Sequence, residues 1–134
     1  TGGPIQLVDG GDKHRCFTHI KDACEAFTAI LENSGGHNEI FNVGNPDTKT
    51  TMRGLAKMMQ SIYGELTGTH PDNELIDIDG EDFYGKGYED MDRVPPDVTK
   101  LMALGWKPTR DLDTIFREAI QYYLDRPDLT ASIR

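Results

Sequence analysis

The period of hydrophobic and polar positions changes along this chain, and each change marks an element. Ile5-Gln6-Leu7-Val8 is a short strand-like run closed by Asp9-Gly10-Gly11-Asp12, a turn cluster where glycine takes positive φ without steric cost. Arg15-Cys16-Phe17-Thr18 resumes an extended pattern. From Ile20 the period is helical, with Ile20, Cys24, Phe27, Ile30 and Leu31 on one face and Ser34-Gly35-Gly36 as the stop. Glu39-Ile40-Phe41-Asn42-Val43 has the β-branched and aromatic content of a strand, ended by Gly44-Asn45-Pro46-Asp47. Met52, Leu55, Met59 and Ile62 then recur at helical spacing behind a Thr51 cap, with Gly64 as terminator and the methionines as core filler. Leu75-Ile76-Asp77-Ile78-Asp79 alternates as a third strand. It leads into a long polar loop from Gly80 to Pro96, a length that in a compact domain points to function. Asp97 caps a short helix through Leu104, stopped at Gly105, with Trp106 packing after it. A last amphipathic helix starts near Asp111, carries Leu112, Ile115, Phe116, Ala119, Ile120 and Tyr123 inward, and closes at Pro127.

Short strands alternating with helices give an α/β or α+β class. Three weak strands separated by whole helices do not readily close a sheet of their own, so they are expected to complete something larger. The 134 residues are one domain's worth of chain, too short for a cofactor domain and a separate substrate domain together. The opening Thr1-Gly2-Gly3-Pro4, with no initiator Met and no leader, reads like the interior of a longer protein.

Fourteen Lys and Arg against 23 Asp and Glu leave a net charge of −9, which disfavours nucleic acid and anionic lipid as partners. No apolar stretch approaches the roughly 20 residues of a membrane span. Cys16 and Cys24 lack the spacings of a secreted disulfide scaffold and read as two reduced, buried thiols, which with the absent leader points to the cytoplasm.

Common catalytic patterns are missing. Gly85-Lys86-Gly87-Tyr88-Glu89-Asp90 only approaches a dinucleotide fingerprint, with Asp in the place of the third glycine and no strand leading in, so no cofactor-binding residue is expected here. Neither a P-loop nor a nucleophile elbow occurs. His14, His19, His37 and His70 show no metal-ligand spacing, and no metal is expected. Two polar segments carry anion-binding groups. From Gln6 to Arg15, a strand, a glycine turn and Lys13-His14-Arg15 gather backbone N–H groups and cations that suit phosphate; a surface hairpin with solvated charges has the same composition. From Tyr84 to Pro96, two glycines and two prolines fix an irregular backbone that presents Lys86, Tyr88 and Arg93. That loop either closes over a sugar or base or is an acidic loop whose Arg93 pairs with Asp90 or Asp92. A cluster of Lys13, Arg15, Lys86 and Arg93 would be an electrostatic exception in an acidic protein.

Pro4-Ile5-Gln6-Leu7-Val8-Asp9-Gly10-Gly11, Arg15-Cys16-Phe17-Thr18-His19-Ile20-Lys21-Asp22, Ile40-Phe41-Asn42-Val43-Gly44-Asn45-Pro46 and Tyr84-Gly85-Lys86-Gly87-Tyr88 occur in that order. Together they resemble the C-terminal part of extended short-chain dehydrogenase/reductases acting on nucleotide sugars, the NAD-dependent epimerase/dehydratase family. The likeness runs from about Pro4 to Asp128 and is strongest to the UDP-glucuronic acid decarboxylase domain of bifunctional polymyxin-resistance proteins. The resemblance implies an α/β C-terminal lobe spanning 1–134, with the Rossmann core absent. In that family a separate N-terminal domain holds NAD and oxidises C4 of UDP-glucuronate, and the resulting β-keto acid loses CO₂ to leave a UDP-4-keto-pentose.

By the same resemblance, the stretch from Gln6 to Arg15, Lys13 included, lines the uridine diphosphate, with backbone around Gln6 and Leu7 near the base and Arg15 near a phosphate. Tyr88 matches the family's substrate-contacting tyrosine, and Arg93 matches the arginine that protonates the enolate left by decarboxylation. The spacing from Tyr88 to Arg93 is one residue shorter than in the family, and a guanidinium is a poor acid. Proton donor and electrostatic clamp both stay open for Arg93. The family's Tyr-x-x-x-Lys pair is absent, so the chain alone is expected to be inactive. Its expected partners are a UDP-sugar, the missing Rossmann half and a second copy in a homo-oligomer. The same lobe also serves epimerases, dehydratases and UDP-apiose/xylose synthases, and a noncatalytic self-associating module is the remaining alternative.

Overall fold

The computed structural model describes residues 3–89 and 91–131. The chain forms two compact units, one from residues 1–13, 51–92 and 116–134, the other from 14–50 and 93–115.

In the first unit β1 (Ile5–Val8) pairs in parallel with β4 (Leu75–Ile78), Ile5 opposite Leu75 and Val8 opposite Ile78. Parallel neighbours need a crossover connection, and α2 (Met52–Thr67) supplies it. The Thr51 hydroxyl caps α2 by accepting the Gly54 N–H at 2.9 Å, as the sequence predicts. The helix runs past Gly64, however, and ends at Gly68, whose left-handed backbone (φ +71) lets its N–H close on the Gly64 carbonyl. Leu55 and Ile62 are buried with Leu7, whereas Met52 and Met59 lie at the margin of exposure rather than in the core. The expected loop after β4 opens with a helix, α3 (Gly80–Tyr84), because the Asp79 carboxylate accepts the N–H groups of Glu81 and Asp82. Towards the C-terminus, α5 (Leu112–Leu124) contains no fully buried residue, and Ala119 and Tyr123 of its expected inward face are exposed. Pro127 does not simply close this helix; it begins α6 (Pro127–Ala131), where its missing N–H costs nothing.

The second unit starts with β2 (His14–Arg15), which pairs with β3 (Thr50–Thr51) as the chain returns towards α2. Then comes α1 (Ile20–Glu32), capped by His19, whose Nδ1 accepts the Lys21 N–H at 3.1 Å. The helix is where the sequence puts it, but its buried side carries Asp22 and Ala26. Ile20, Phe27 and Leu31 are 71%, 60% and 78% exposed, and Cys24 is exposed with them. Both cysteines are free; neither is fully buried, which corrects that part of the reading. Ala26 packs with Val98, Leu101 and Trp106, and Ile30, Phe41, Val43 and Leu104 border this core. The segment 39–43 is not a strand. Among the described residues it has no neighbouring strand to receive its backbone hydrogen bonds, and Ile40 is 88% exposed. The N-cap position of α4 (Thr99–Met102) is Val98 rather than the expected Asp97, which lies one residue earlier and accepts the Thr99 N–H at 3.0 Å, and the helix stops short of Leu104.

Candidate functional site

In the first unit the predicted contact residues sit at the C-terminal end of β1 and on the loop after α3. Gln6 is exposed opposite Ile76, while Leu7 is buried as a whole residue opposite Asp77. The glycine turn that follows is fixed from α2. Arg53 donates from Nε to the Gly10 carbonyl at 2.8 Å and its guanidinium pairs with Asp77 of β4. Gly11 approaches so closely that a Cβ there would stand 3.0 Å from the Arg53 backbone nitrogen, at φ +66. Lys13 is half-buried, and its carbonyl accepts the Met52 N–H at 3.3 Å. Tyr88 is half-buried and stacks on Tyr84, with ring centroids 4.3 Å apart and planes at 28°. Lys86 is exposed in the turn between them.

Within the second unit the structure brings Arg15 and Arg93 to one atom. The Arg15 guanidinium donates to the His14 carbonyl at 2.8 Å, and the backbone N–H of Arg93 donates to the same oxygen at 3.4 Å. The Arg93 side chain is exposed. Of the two acids considered for pairing with it, Asp90 lies outside the described residues.

The motif segments hold this arrangement in place. Phe17 exchanges two hydrogen bonds with the Thr48 hydroxyl, at 3.0 and 2.6 Å, which ties the segment after β2 to the turn after Asn45. Asn42 donates to the Asp97 carbonyl at 3.1 Å, four residues beyond Arg93, and Asn45 donates to the Arg110 carbonyl at 2.9 Å. The two asparagines therefore fix backbone that the sequence alone leaves irregular.

Electrostatics in this unit centre on Asp22. Its burial raises the carboxyl, but backbone and side-chain hydrogen bonds from Arg110 and Thr109 outweigh that and hold it below its ordinary value. Arg110 is raised in turn, chiefly by its bond to Glu25, with Asp22 adding to it. Sequence reasoning missed Arg53, Asp22 and Arg110, because nothing local distinguishes them from solvated charges.

Among the described residues no three His, Cys, Asp or Glu side chains gather as a metal site. No helix among them is long and apolar enough to cross a membrane. A shallow depression lined by Cys24, Glu25, Glu32, Trp106 and Lys107 contains none of the predicted contact residues. Gly85-Lys86-Gly87 follows a five-residue helix and leads into irregular backbone, so it does not form the strand-to-helix phosphate turn that NAD requires.

These short strands and helices have the mixed α/β fold of the C-terminal part of Rossmann-type epimerase/dehydratase structures. Residues 1–44 match the model of the NAD dependent epimerase/dehydratase family. The chain is 43% identical over 122 residues to a UDP-D-apiose/UDP-D-xylose synthase of Oryza sativa subsp. japonica, covering 89% of this chain and 31% of that protein. Among solved structures it is similar to the PbgP3 protein of Burkholderia pseudomallei, with a TM-score of 0.76 and 30% identity over 93% of this chain and 35% of the other. It is also similar to a UDP-glucose 4-epimerase of Thermotoga maritima solved with UDP-glucose, with a TM-score of 0.75 and 26% identity over 92% and 36%. The chain spans about a third of the length of the curated relatives it matches.

Proposed function

We propose that this chain is the substrate-binding lobe of an NAD-dependent nucleotide-sugar enzyme of the epimerase/dehydratase family, acting on UDP-glucuronate by oxidative decarboxylation to a UDP-4-keto-pentose. The observation that carries the reading is the meeting of Arg15 and Arg93 at the His14 carbonyl, which gathers two cationic residues in an acidic protein. A guanidinium matches phosphate oxygens through parallel hydrogen bonds, so Arg15 grips the diphosphate with help from Lys13. Backbone at Gln6 and Leu7 receives the base, and Tyr88 covers the sugar. Arg93 clamps the carboxylate or diphosphate, or returns the proton to the enolate after CO₂ departs. The 43% identity to a UDP-apiose/UDP-xylose synthase favours a second reading, in which the same lobe serves an enzyme forming those sugars.

NAD is held by a part of the enzyme outside this chain, consistent with the missing dinucleotide turn. That part also covers the exposed apolar face of α1 and pairs with the strand-like segment at Ile40, and the enzyme works in the cytoplasm as a homo-oligomer. Calorimetric titration with UDP and with NAD tests the reading: UDP binds and NAD does not. A chain that binds neither is an assembly module, and the proposal fails. Product analysis of the whole enzyme supplied with UDP-glucuronate and NAD separates the routes, since CO₂ release excludes simple epimerisation.

A further inference from the structure

The Gln6–Lys13 stretch and the Tyr84–Tyr88 loop meet at Asp9, a residue of the glycine turn to which the sequence assigns no contact role. Asp9 follows β1 with φ +46, a left-handed backbone that is uncommon for a residue with a side chain and that Asp adopts more readily than most. Its carboxylate Oδ1 accepts the Gly80 N–H at 2.8 Å, across 71 residues of sequence. Gly80 is buried, and the space a side chain would occupy there is already filled. A Cβ on Gly80 would stand 2.6 Å from Asp9 Oδ2 and 2.9 Å from Tyr88 Cδ1. Carboxylate and ring therefore close together on one glycine. Beyond it the loop is stiff: the Glu81 carbonyl accepts the Gly85 N–H at 2.8 Å, its carboxylate accepts the Gly87 N–H at 3.0 Å, and Tyr84 stacks on Tyr88.

We infer that Asp9 is a positioning residue that fixes the ring of Tyr88 through Gly80, so that the aromatic face and the backbone after β1 meet one ligand as a single surface. The inference rests on the nucleotide-sugar reading for the identity of that ligand and extends it to a residue that does not touch the ligand. Electrostatics and tethering predict opposite signs here. A carboxylate near a diphosphate repels it, so charge alone makes removal of Asp9 favourable to binding. As a tether, Asp9 contributes through the acceptor oxygen, which asparagine retains without the charge.

The test is calorimetric titration of the chain with UDP-glucuronate for wild type, Asp9→Ala, Asp9→Asn, Tyr88→Ala and the Asp9→Ala/Tyr88→Ala double variant, each checked for folding by far-UV circular dichroism. Asp9→Ala is expected to weaken binding about tenfold and Asp9→Asn by less than about twofold. Tyr88→Ala is expected to cost about tenfold in the wild type and under about twofold on the Asp9→Ala background, because a ring already released has little left to lose. Gly80→Ala, whose methyl displaces the carboxylate and ring while keeping the Asp9 side chain in the sequence, is expected to match Asp9→Ala and serves if that variant does not fold. Binding by Asp9→Ala or Gly80→Ala at wild-type strength or tighter, or losses that multiply independently in the double variant, overturns the tether and leaves the nucleotide-sugar reading standing. A wild type that does not bind overturns that reading and the tether with it.

Discussion

Asp22 and Arg110, 88 residues apart in sequence, form an ion pair whose carboxylate has no exposed surface and which joins α1 to the segment before α5. The same carboxylate accepts the backbone N–H groups of Thr109 and Arg110 at 3.3 and 3.2 Å, and the Asp22 carbonyl takes the Trp106 indole N–H at 2.9 Å. Substituting Asp22 with Ala strips the acceptors from four donors at once, the Thr109 hydroxyl being the fourth, and leaves Arg110 with Glu25 as its ion-pair partner. Breaking a buried pair from one side typically costs about 3–5 kcal/mol. Denaturant unfolding of Asp22→Ala should register a loss of that order. A loss below about 1 kcal/mol would remove the pair from the account of what holds the second unit together.

Acid should act through the same carboxylate. Asp22 is held below its ordinary value of 3.8 in the folded chain, so the unfolded state binds its proton at higher pH than the folded state does. The stabilisation is complete above the unfolded value and drains away as pH falls through the folded one. Glu39, beside Lys100, and Asp97 and Asp111, bonded to Thr99 and Thr114, are lowered in the same direction at the surface. Stability measured by denaturant titration is expected to be flat above about pH 5 and to fall below about pH 4, with Asp22→Asn showing the shallower fall. An equal slope in the variant would assign the acid sensitivity to the surface carboxylates.

What the sequence makes legible is what depends on neighbours along the chain. The bounds of β1, β4 and α1 follow from local period, and Thr51 caps as its residue type dictates. The buried face of α1 is not legible, because Asp22 turns inward only to meet Arg110, and an apolar stripe usually marks the inward side. Residues 39–43 keep a strand's composition without becoming one, since a strand is a property of two segments and the described residues provide no second. The helix α3 was readable in principle from Asp79 followed by Gly80, Glu81 and Asp82, a capping residue with acids in the first turn. In the candidate site, residue types pointed to Arg15, Tyr88 and Arg93. The carbonyl of His14 that gathers the arginines and the Asp9 contact with Gly80 are long-range facts with no local trace.

Arg15 and Arg93 should differ in what they do to ligand affinity. A hydrogen bond to a charged group contributes about 1.5–3 kcal/mol, so Arg15→Ala is expected to weaken UDP binding by about 10- to 100-fold. Charge without the planar fork recovers only part of this, and Arg15→Lys should fall between. If Arg93 holds the sugar carboxylate, Arg93→Ala leaves UDP affinity unchanged and weakens UDP-glucuronate alone. Equal losses for both ligands place it on the diphosphate. Calorimetry with the two ligands reads these outcomes directly, and UDP affinity unmoved by Arg15→Ala would count against the phosphate role.

The exposed side of α1 should make the chain self-associate. Ile20, Cys24, Phe27 and Leu31 are spaced by four, three and four residues, which places them along one stripe of the helix, and all four are exposed. A contiguous apolar stripe of this kind on a soluble protein marks a surface that is covered by a partner when one is available. With the chain as the only protein present, the available cover is another copy. Sedimentation velocity over a range of concentrations is expected to reveal association that grows with concentration, and Phe27→Glu with Leu31→Lys to abolish it. Because exposed substitutions away from capping and packing sites typically shift stability by about 0.5 kcal/mol or less, the double variant should melt where the wild type does. That separates loss of an interface from loss of folding. A wild-type chain that sediments as a monomer at every concentration would show that the stripe does not bind itself.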